Sequence, residues 1–185
     1  MATVAVSDLL TTFECNAREA AASVSIVDGT PSAVRDTVQQ LTADAKSIVL
    51  GLGEFLSCEI VEELRRLPNV IAQPSDEQLS VASVGVSDAF AGVASSGSVC
   101  IAMGPPLAAA ASLLMPLHIV ILAADRIVER PRDLFDPGCL GGEGLRRNLV
   151  FITGPSATAD MGPLVRGVHG PHRLQILVLR NGHGH

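Results

Sequence analysis

A dense group of small and hydrogen-bonding residues follows a strand predicted at residues 148–152. It runs Thr153-Gly154-Pro155-Ser156-Ala157-Thr158-Ala159-Asp160. The hydroxyl groups can donate or accept hydrogen bonds, and the small residues let a ligand approach the backbone. Ligands of parallel α/β sheets bind at the carboxyl ends of strands, and a helix start after the turn would offer free N–H groups to an anion. We therefore predict a small-anion site at the turn 153–160. The alternative is a turn that its own hydroxyls cap.

Two histidines, His169 and His172, flank Gly170-Pro171 further along the chain. Histidines three residues apart could share a metal ion, but the glycine and proline between them favour a turn, and no third ligand is evident nearby. We expect no metal site here. His169 and Gly170 are instead candidates for a wall of the Thr153 site, with a purely structural turn as the alternative.

Two other polar residues lie at the start of the apolar strand predicted at 118–122 and after its end. His118 enters this strand, which is typical of a core histidine whose hydrogen bonds are satisfied. Arg126 follows the strand and stands next to Asp125. A guanidinium at a strand end either clamps an anion or pairs with a neighbouring carboxylate. Arg126 is therefore a candidate ligand-binding residue, with an ion pair as the alternative.

The turn Gly51-Leu52-Gly53 stands where a dinucleotide fingerprint would begin, between a strand and a helix. The third glycine of that motif would fall at residue 56, which is Leu56. No acidic residue at the end of the next strand is available to hold a ribose. We therefore interpret the segment as a tight turn. The chain also lacks a Gly-x-Ser-x-Gly elbow, so it offers no evident pair of nucleophile and base.

The composition restricts the partners that we expect. The formal net charge is −6, and Lys46 is the single lysine among 13 basic residues. No basic run would hold a nucleic acid or a membrane surface. The absence of Trp and Tyr removes the usual platforms for stacking bases. We expect neither a nucleic acid nor a membrane as a partner.

The cysteines are too far apart for a zinc, iron–sulfur or redox motif. They are Cys15, Cys58, Cys100 and Cys139. We expect reduced thiols, no cofactor and a cytoplasmic protein. The first ten residues lack the basic segment and the long apolar core of a signal peptide.

Residues 107–124 contain no acid, Arg or Lys and approach the length of a membrane span. Pro116 and His118 interrupt this stretch. The alanine-rich part before Pro116 is helical in character, and the part after it is typical of a strand. We therefore expect a helix followed by a buried strand.

The apolar pattern predicts alternating helices and strands in one domain. We expect helices near 8–22, 31–45, 59–67 and 107–114, and strands near 24–27, 47–51, 69–72, 84–86, 118–122, 148–152 and 174–179. We expect a turn or short helix at 87–91, and a hairpin at 93–102 with its turn near Ser96-Gly97. Continuously apolar strands with helices between them favour a layered α/β domain with a mostly parallel sheet, partly mixed through the hairpin. Residues 1–45 would be a helical part of this domain, 46–180 its α/β core and 181–185 a disordered tail.

Several segments together resemble the lactate-utilisation protein C family, the family of the LUD domain. They are Phe151–Ser156 with Thr158-Ala159-Asp160, Gly167–Pro171, Val84–Ala89, Ser112–Val120 and Asp125–Val128. Their order and spacing fit over about residues 45–179. The resemblance implies a fold similar to the sugar-phosphate isomerase and CoA-transferase group. It also implies an accessory role in a three-protein system that oxidises L-lactate to pyruvate, whose other two components carry iron–sulfur clusters and are the expected partners.

The chain departs from the family pattern at three charged positions. Ser95 stands where the family commonly has a glutamate, although the neighbouring Gly97 and Ser98 match and join the ligand-binding candidates. Ala109 and Gly162 stand where the family commonly has an arginine and an acid. We hypothesise that the charged part of a ligand pocket is lost while the Thr-Gly-Pro-Ser turn survives.

Three functions are compatible with these residues. The first is an accessory component of L-lactate oxidation that binds a small anion or a partner protein at the turn 153–160. The second is a stand-alone enzyme acting on an acyl-CoA or a sugar phosphate, with Asp160 as general base, His169 as hydrogen-bond donor and Arg126 as anion clamp. The third is a degenerate ligand-binding or assembly module. The resemblance favours the first function, and the missing charges favour the third over the second.

Overall fold

The computed structural model of the chain describes residues 6–136, 148–158, 165–167 and 169–180. Five α-helices lie in these ranges: α1 (Val6–Glu19), α2 (Pro31–Leu41), α3 (Cys58–Arg65), α4 (Asp76–Val81) and α5 (Ala108–Leu113). The first strands are β1 (Ser23–Asp28), β2 (Ile48–Gly51), β3 (Val70–Ile71), β4 (Val84–Asp88), β5 (Ala91–Val93) and β6 (Ser98–Ala102). The later strands are β7 (Leu117–Ala123), β8 (Ile127–Val128), β9 (Leu149–Ile152), β10 (Ala157–Thr158), β11 (Val165–Arg166) and β12 (Arg173–Arg180).

Six strands form one parallel sheet in the order β1-β12-β7-β4-β2-β3. All seven residues of β7, near the centre of the sheet, are buried. A parallel sheet that is covered on both faces requires strands that are apolar along their whole length, and the stretch Ile119–Leu122 has this property. The prediction of an α/β domain with a mostly parallel sheet is confirmed.

The two faces of the parallel sheet are covered by different layers. On one face, Val34 of α2 and Leu64 of α3 share an apolar cluster with Ile119. On the other face, Phe13 of α1 shares a cluster with Leu122. These side chains are fully buried, and each such burial stabilises the fold by about 1.5–3 kcal/mol.

A second sheet of four strands, in the order β8-β5-β6-β9, covers part of the α1 face. The predicted hairpin is present, because β5 and β6 are antiparallel neighbours. The antiparallel pairs all lie outside the six-stranded sheet, so that sheet itself is not mixed. The strand predicted at 148–152 corresponds to β9, which pairs with β6 instead of joining the parallel sheet.

The turn expected at 87–91 is shorter than predicted, because β4 continues through Asp88 and β5 begins at Ala91, so that only Ala89 and Phe90 lie between the strands. Two polar residues interrupt the apolar pattern here and suggested the end of a strand. Ser87 and Asp88 are nevertheless buried. Their hydrogen-bond partners, His118 and the backbone of Gly53, come from distant parts of the chain.

The stretch at 107–124 forms a helix, α5, followed by the buried strand β7, which confirms the prediction. None of the helices in the described ranges combines the length and the apolar character that crossing a membrane requires.

Glycines in two strands let α5 pack closely on the parallel sheet. A Cβ atom on Gly85 would lie 2.0 Å from the carbonyl oxygen of Ala111, and one on Gly51 would lie 2.7 Å from the Cα atom of Ala108. Real Cβ atoms do not approach other atoms this closely. The alanine-rich face of α5 therefore lies directly on the sheet backbone, which fixes the loops at both ends of the helix.

We predict that Gly85→Ala lowers the free energy of unfolding by about 3 kcal/mol, because the backbone of α5 must move away to admit the methyl group. Gly104→Ala is the matched control, since a Cβ atom there meets no heavy atom within 4 Å. The control should change the free energy by less than about 1 kcal/mol. Urea unfolding of both variants checks the prediction, and equal effects would contradict it.

Candidate functional site

Two adjacent strands of the parallel sheet send the chain to opposite faces. After β2 the chain forms α3, which covers one face, and after β4 it forms the β5–β6 hairpin, which covers the other. β2 and β4 are direct neighbours. In open α/β sheets, a crevice opens outside the carboxyl ends of two such strands, and ligands bind there. The carboxyl ends of β2 and β4 are therefore the first place to look for a site.

A cavity of about 410 Å³ lies at this point. Its walls come from the loop after β2, from the end of β6 and the segment after it, and from the residue before β9. The lining residues are Leu52, Gly53, Glu54, Phe55, Ala102, Gly104, Pro105 and Asn148. A volume of several hundred cubic ångströms and mainly apolar walls with a few polar groups are typical of small-molecule sites. We call this space the switch-point cavity.

The loop that forms one wall is held by the carboxylate of Asp88, at the end of β4. The backbone N–H of Gly53 donates to its Oδ1 atom at 2.6 Å, and the N–H of Phe55 donates to its Oδ2 atom at 2.9 Å. The residue is only 3% exposed. Burial raises the pKa of Asp88, and the two backbone hydrogen bonds partly oppose this rise. Asp88 therefore shapes the cavity from behind its wall.

Asp88 is a residue that we did not predict as part of a site from the sequence. Two signals pointed to it: a polar residue at the end of an apolar strand, and a tight glycine turn after the neighbouring strand. The amide groups of such a turn need acceptors when they are buried. The sequence does not show that β2 and β4 are neighbours, nor how far the amide groups of the turn are buried.

Arg126 lies at the same edge of the sheet as the switch-point cavity. Its guanidinium carbon is 5.2 Å from the centre of the Phe55 ring, a cation–π distance. The ring of Phe55 also meets that of Phe90 edge to face, with 5.4 Å between their centres. An Nη1 atom of Arg126 donates to the carbonyl oxygen of Phe90 at 3.4 Å. Arg126 thus braces a wall of the cavity, and its role as an anion clamp stays a prediction.

The Thr153 turn carries a short chain of hydroxyl groups. The Oγ1 atom of Thr153 is 2.6 Å from the Oγ atom of Ser98, which is 2.7 Å from the Oγ atom of Ser96. Gly154 has a φ of +72°, and a Cβ atom there would lie 2.0 Å from the carbonyl oxygen of Ala20. The turn therefore packs tightly on the end of α1, and only glycine fits at its tip.

The Thr153 turn does not lie at the edge of the parallel sheet that our prediction assumed. The N–H of Ser156 donates to the carbonyl oxygen of Pro171 at 3.0 Å, and Pro171 lies two residues before the start of β12. Ala20 likewise precedes β1. The turn therefore lies at the amino edge of the parallel sheet, away from the carboxyl ends where ligands gather. The reason is that β9, which leads into the turn, belongs to the second sheet.

The segment after the turn is a strand and not the expected helix start. β10 pairs with β11, so Thr158 lies in a small antiparallel ribbon. Pro155 stands in the turn between β9 and β10, His169 is exposed, and Gly170 packs beside Ser156. Asp160 lies outside the described residues, as do Cys139, Gly162 and the tail 181–185. Ligand binding by the turn and the capping alternative both stay predictions, and the Thr153 hydroxyl is hydrogen-bonded to Ser98 of β6.

Arg126 and His169 are not brought together. Arg126 follows the carboxyl end of β7, whereas His169 precedes the amino end of β12, the neighbouring parallel strand. β7 has seven residues, so the two edges are about 20 Å apart at roughly 3.3 Å per residue. Two of the positions where the family commonly has a charged residue also lie on separate elements. Ser95 is in the β5–β6 turn, and Ala109 is in α5.

A buried polar pair lies in the middle of the parallel sheet. The Nε2 atom of His118 is 2.9 Å from the Oγ atom of Ser87 on the adjacent strand, and both side chains are fully buried. The Nδ1 atom of His118 has no hydrogen-bond partner among the described residues. Burial lowers the pKa of His118 to about 3, because the interior cannot solvate an imidazolium ion. The expected core histidine is therefore present, with one of its two nitrogens bonded.

These features define an α/β protein whose parallel sheet has a crevice at its switch point. The model of the LUD domain matches residues 11–179, so the chain belongs to the LUD domain family. The family membership inferred from the sequence motifs is confirmed.

Relatives and a solved structure agree with this assignment. A lactate utilization protein C of Halalkalibacterium halodurans is 30% identical over 167 residues, which cover 84% of this chain and 71% of that protein. An uncharacterised protein of Neisseria meningitidis is 30% identical over 100 residues, and the match spans 54% of this chain and only 43% of that protein. The crystal structure of a DUF162 family protein from Deinococcus radiodurans has the same fold, with a TM-score of 0.72 and 18% identity over 96% of this chain and 100% of that one.

We predict that Asp88→Asn lowers the free energy of unfolding by about 2 kcal/mol at pH 7, because the amide sets an NH₂ donor against one of the two backbone N–H groups that now donate to the oxygens of Asp88. Since burial raises the pKa of Asp88, the folded state binds this proton more tightly than the unfolded state. The wild-type protein therefore loses stability from this group as the pH rises through the raised pKa.

The difference in the free energy of unfolding between the wild type and Asp88→Asn should shrink as the pH rises from 4. Urea unfolding between pH 4 and 7 measures it, with the exposed Asp28→Asn as the control; a flat difference would refute the assignment.

For His118 we expect the opposite dependence on pH. The unfolded chain takes up the proton near pH 6.5, whereas the folded protein resists it down to about pH 3. Stability that is present above pH 6.5 is therefore lost as the pH falls, by about 3 kcal/mol between pH 6.5 and pH 4. His118→Gln should remove this loss, while His172→Gln, which changes an exposed histidine, should not. Chemical denaturation at three pH values measures the free energy of unfolding of each variant. If this free energy changes with pH in His118→Gln as it does in the wild type, another group is responsible for the loss.

Proposed function

We propose that this chain is an accessory component of an L-lactate oxidation system and that it binds a small ligand in the switch-point cavity. The observation that carries the ligand proposal is the cavity of about 410 Å³ at the carboxyl ends of β2 and β4. The role in lactate oxidation is supported by membership of the LUD domain family and by the name of the Halalkalibacterium relative, lactate utilization protein C.

The chemistry of the cavity walls supports binding over catalysis. The polar side chains among its described lining residues are those of Glu54 and Asn148, so these walls supply no Ser, Thr, Cys or Lys nucleophile and no histidine base. A stand-alone enzyme acting on an acyl-CoA or a sugar phosphate would need Asp160, His169 and Arg126 around one substrate. Arg126 and His169 lie at opposite edges of the sheet, so this alternative loses its geometric basis.

The amino edge of the sheet offers a surface for a partner protein. The turn at Thr153–Ser156 lies there, beside the end of α5, where Leu113 and Leu114 are 49% and 63% exposed. Exposed large apolar side chains that lie side by side mark candidate contact surfaces. We propose that the turn contacts a protein partner, and that the partners are the iron–sulfur components of the oxidation system.

Affinity isolation of the chain from its host, grown on L-lactate, tests the assembly part of the proposal. Iron–sulfur proteins should co-purify with the wild-type chain, and Leu114→Glu should reduce their recovery because it places a charge on the apolar contact. Val81→Glu is the matched control, since Val81 is 75% exposed at the end of α4. Isolation of the chain alone from lactate-grown cells would refute the accessory role.

The ligand part of the proposal is tested by filling the cavity. Gly104→Phe adds a ring at a lining residue with open space beside it, so the fold should be kept while the cavity is blocked. In a deletion strain of the host, this variant should fail to restore growth on L-lactate. Val81→Phe adds the same ring away from the cavity and should restore growth. Full growth with a folded Gly104→Phe protein would show that the cavity is not needed.

A further inference from the structure

A second cavity lies against the edge strand β3, and Leu52 belongs to its wall as well as to that of the switch-point cavity. Its volume is about 210 Å³. The lining residues are Leu50, Leu52, Arg65, Val70, Ile71 and Ala72. Five of the six are apolar. Three of them, Leu50, Leu52 and Val70, pack against the apolar cluster under α2 and α3, so the walls of this edge cavity are firmly supported.

The one charged residue of the edge cavity, Arg65, has no ion pair or hydrogen bond to any side chain in the described ranges. The nearby arginines are engaged: Arg66 pairs with Glu62 and Glu63, and Arg35 also pairs with Glu63. Glu62 and Glu63 of α3 therefore bind other guanidinium groups. A cation in the last turn of a helix is favourable in itself, but this does not explain why the guanidinium borders an apolar cavity.

We propose that the edge cavity binds a short monocarboxylic acid, with the carboxylate on Arg65 and the hydrocarbon tail between Leu50, Val70 and Ile71. A guanidinium presents paired N–H donors that match the two oxygens of a carboxylate. Apolar walls with a single cation favour a ligand that has one negative charge and an otherwise apolar structure. At about 30 Å³ per water molecule, the space equals roughly seven waters, which suits an acid of about seven non-hydrogen atoms.

The test uses 3-methylbutanoate, titrated into the ¹⁵N-labelled full chain while the amide resonances are followed. Saturable shifts are expected at Val70, Ile71 and Ala72. Arg65→Gln should raise the dissociation constant about tenfold or more, because the charge-assisted pair is lost. The neighbouring Arg66→Gln should change it less than about twofold, since Arg66 already pairs with its own helix. The isosteric 3-methylbutanamide, which lacks the charge, should bind about tenfold more weakly than the acid.

Ala72→Leu provides a second test, because Ala72 is an exposed lining residue and a larger side chain there should close the cavity without unfolding the chain. The shifts should disappear in this variant while its thermal unfolding is unchanged. Equal affinity of wild type and Arg65→Gln, or shifts that survive in Ala72→Leu, would overturn the proposal. Shifts confined to Gly53, Phe55 and Gly104 would also overturn it, since they would assign the acid to the switch-point cavity.

Discussion

The carboxyl edge of the parallel sheet depends on a single buried carboxylate. Asp88, at the end of β4, accepts hydrogen bonds from two N–H groups in the loop after β2. Without this acceptor, the buried amide of Phe55 would be unpaired, at a cost of about 1–3 kcal/mol, and the partly buried amide of Gly53 would also lose its partner. The same loop carries Leu52, which borders both cavities, and Phe55, which contacts Arg126. The shape of the candidate site therefore follows from one interaction between two neighbouring strands.

Polar groups inside an apolar sheet also fix the register of its strands. Ser87 of β4 meets His118 of β7, and a shift of β4 by one residue would point Ser87 to the opposite face and leave both groups unpaired. Apolar side chains alone would tolerate such a shift more easily. The close contact of Gly85 with α5 adds a steric constraint at the same place. Hydrogen bonds and backbone contacts thus specify the arrangement that hydrophobic burial stabilises.

The two edges of the parallel sheet differ in chemistry, and this difference organises the proposed function. The carboxyl edge has a cavity with mainly apolar walls, which suits a small ligand. The amino edge has the Thr153 turn and the exposed leucines of α5, which suit a protein surface. About 20 Å of β7 separates the two edges, by the usual rise per residue. Ligand and partner could therefore bind the chain at the same time.

The sequence by itself determined the α/β class, the approximate strands and helices, the family and the burial of His118, because these follow from local apolar patterns and from short motifs. The same reasoning could have found α4, whose capping box at Ser75 and Gln78 is a local signal. Only the tertiary structure decided that β9 joins the second sheet, which moves the Thr153 turn to the amino edge. It also decided that Asp88 holds the loop beside the cavity. Both outcomes depend on which strands become neighbours, and a strand of four apolar residues pairs equally well in either sheet until the whole chain is packed.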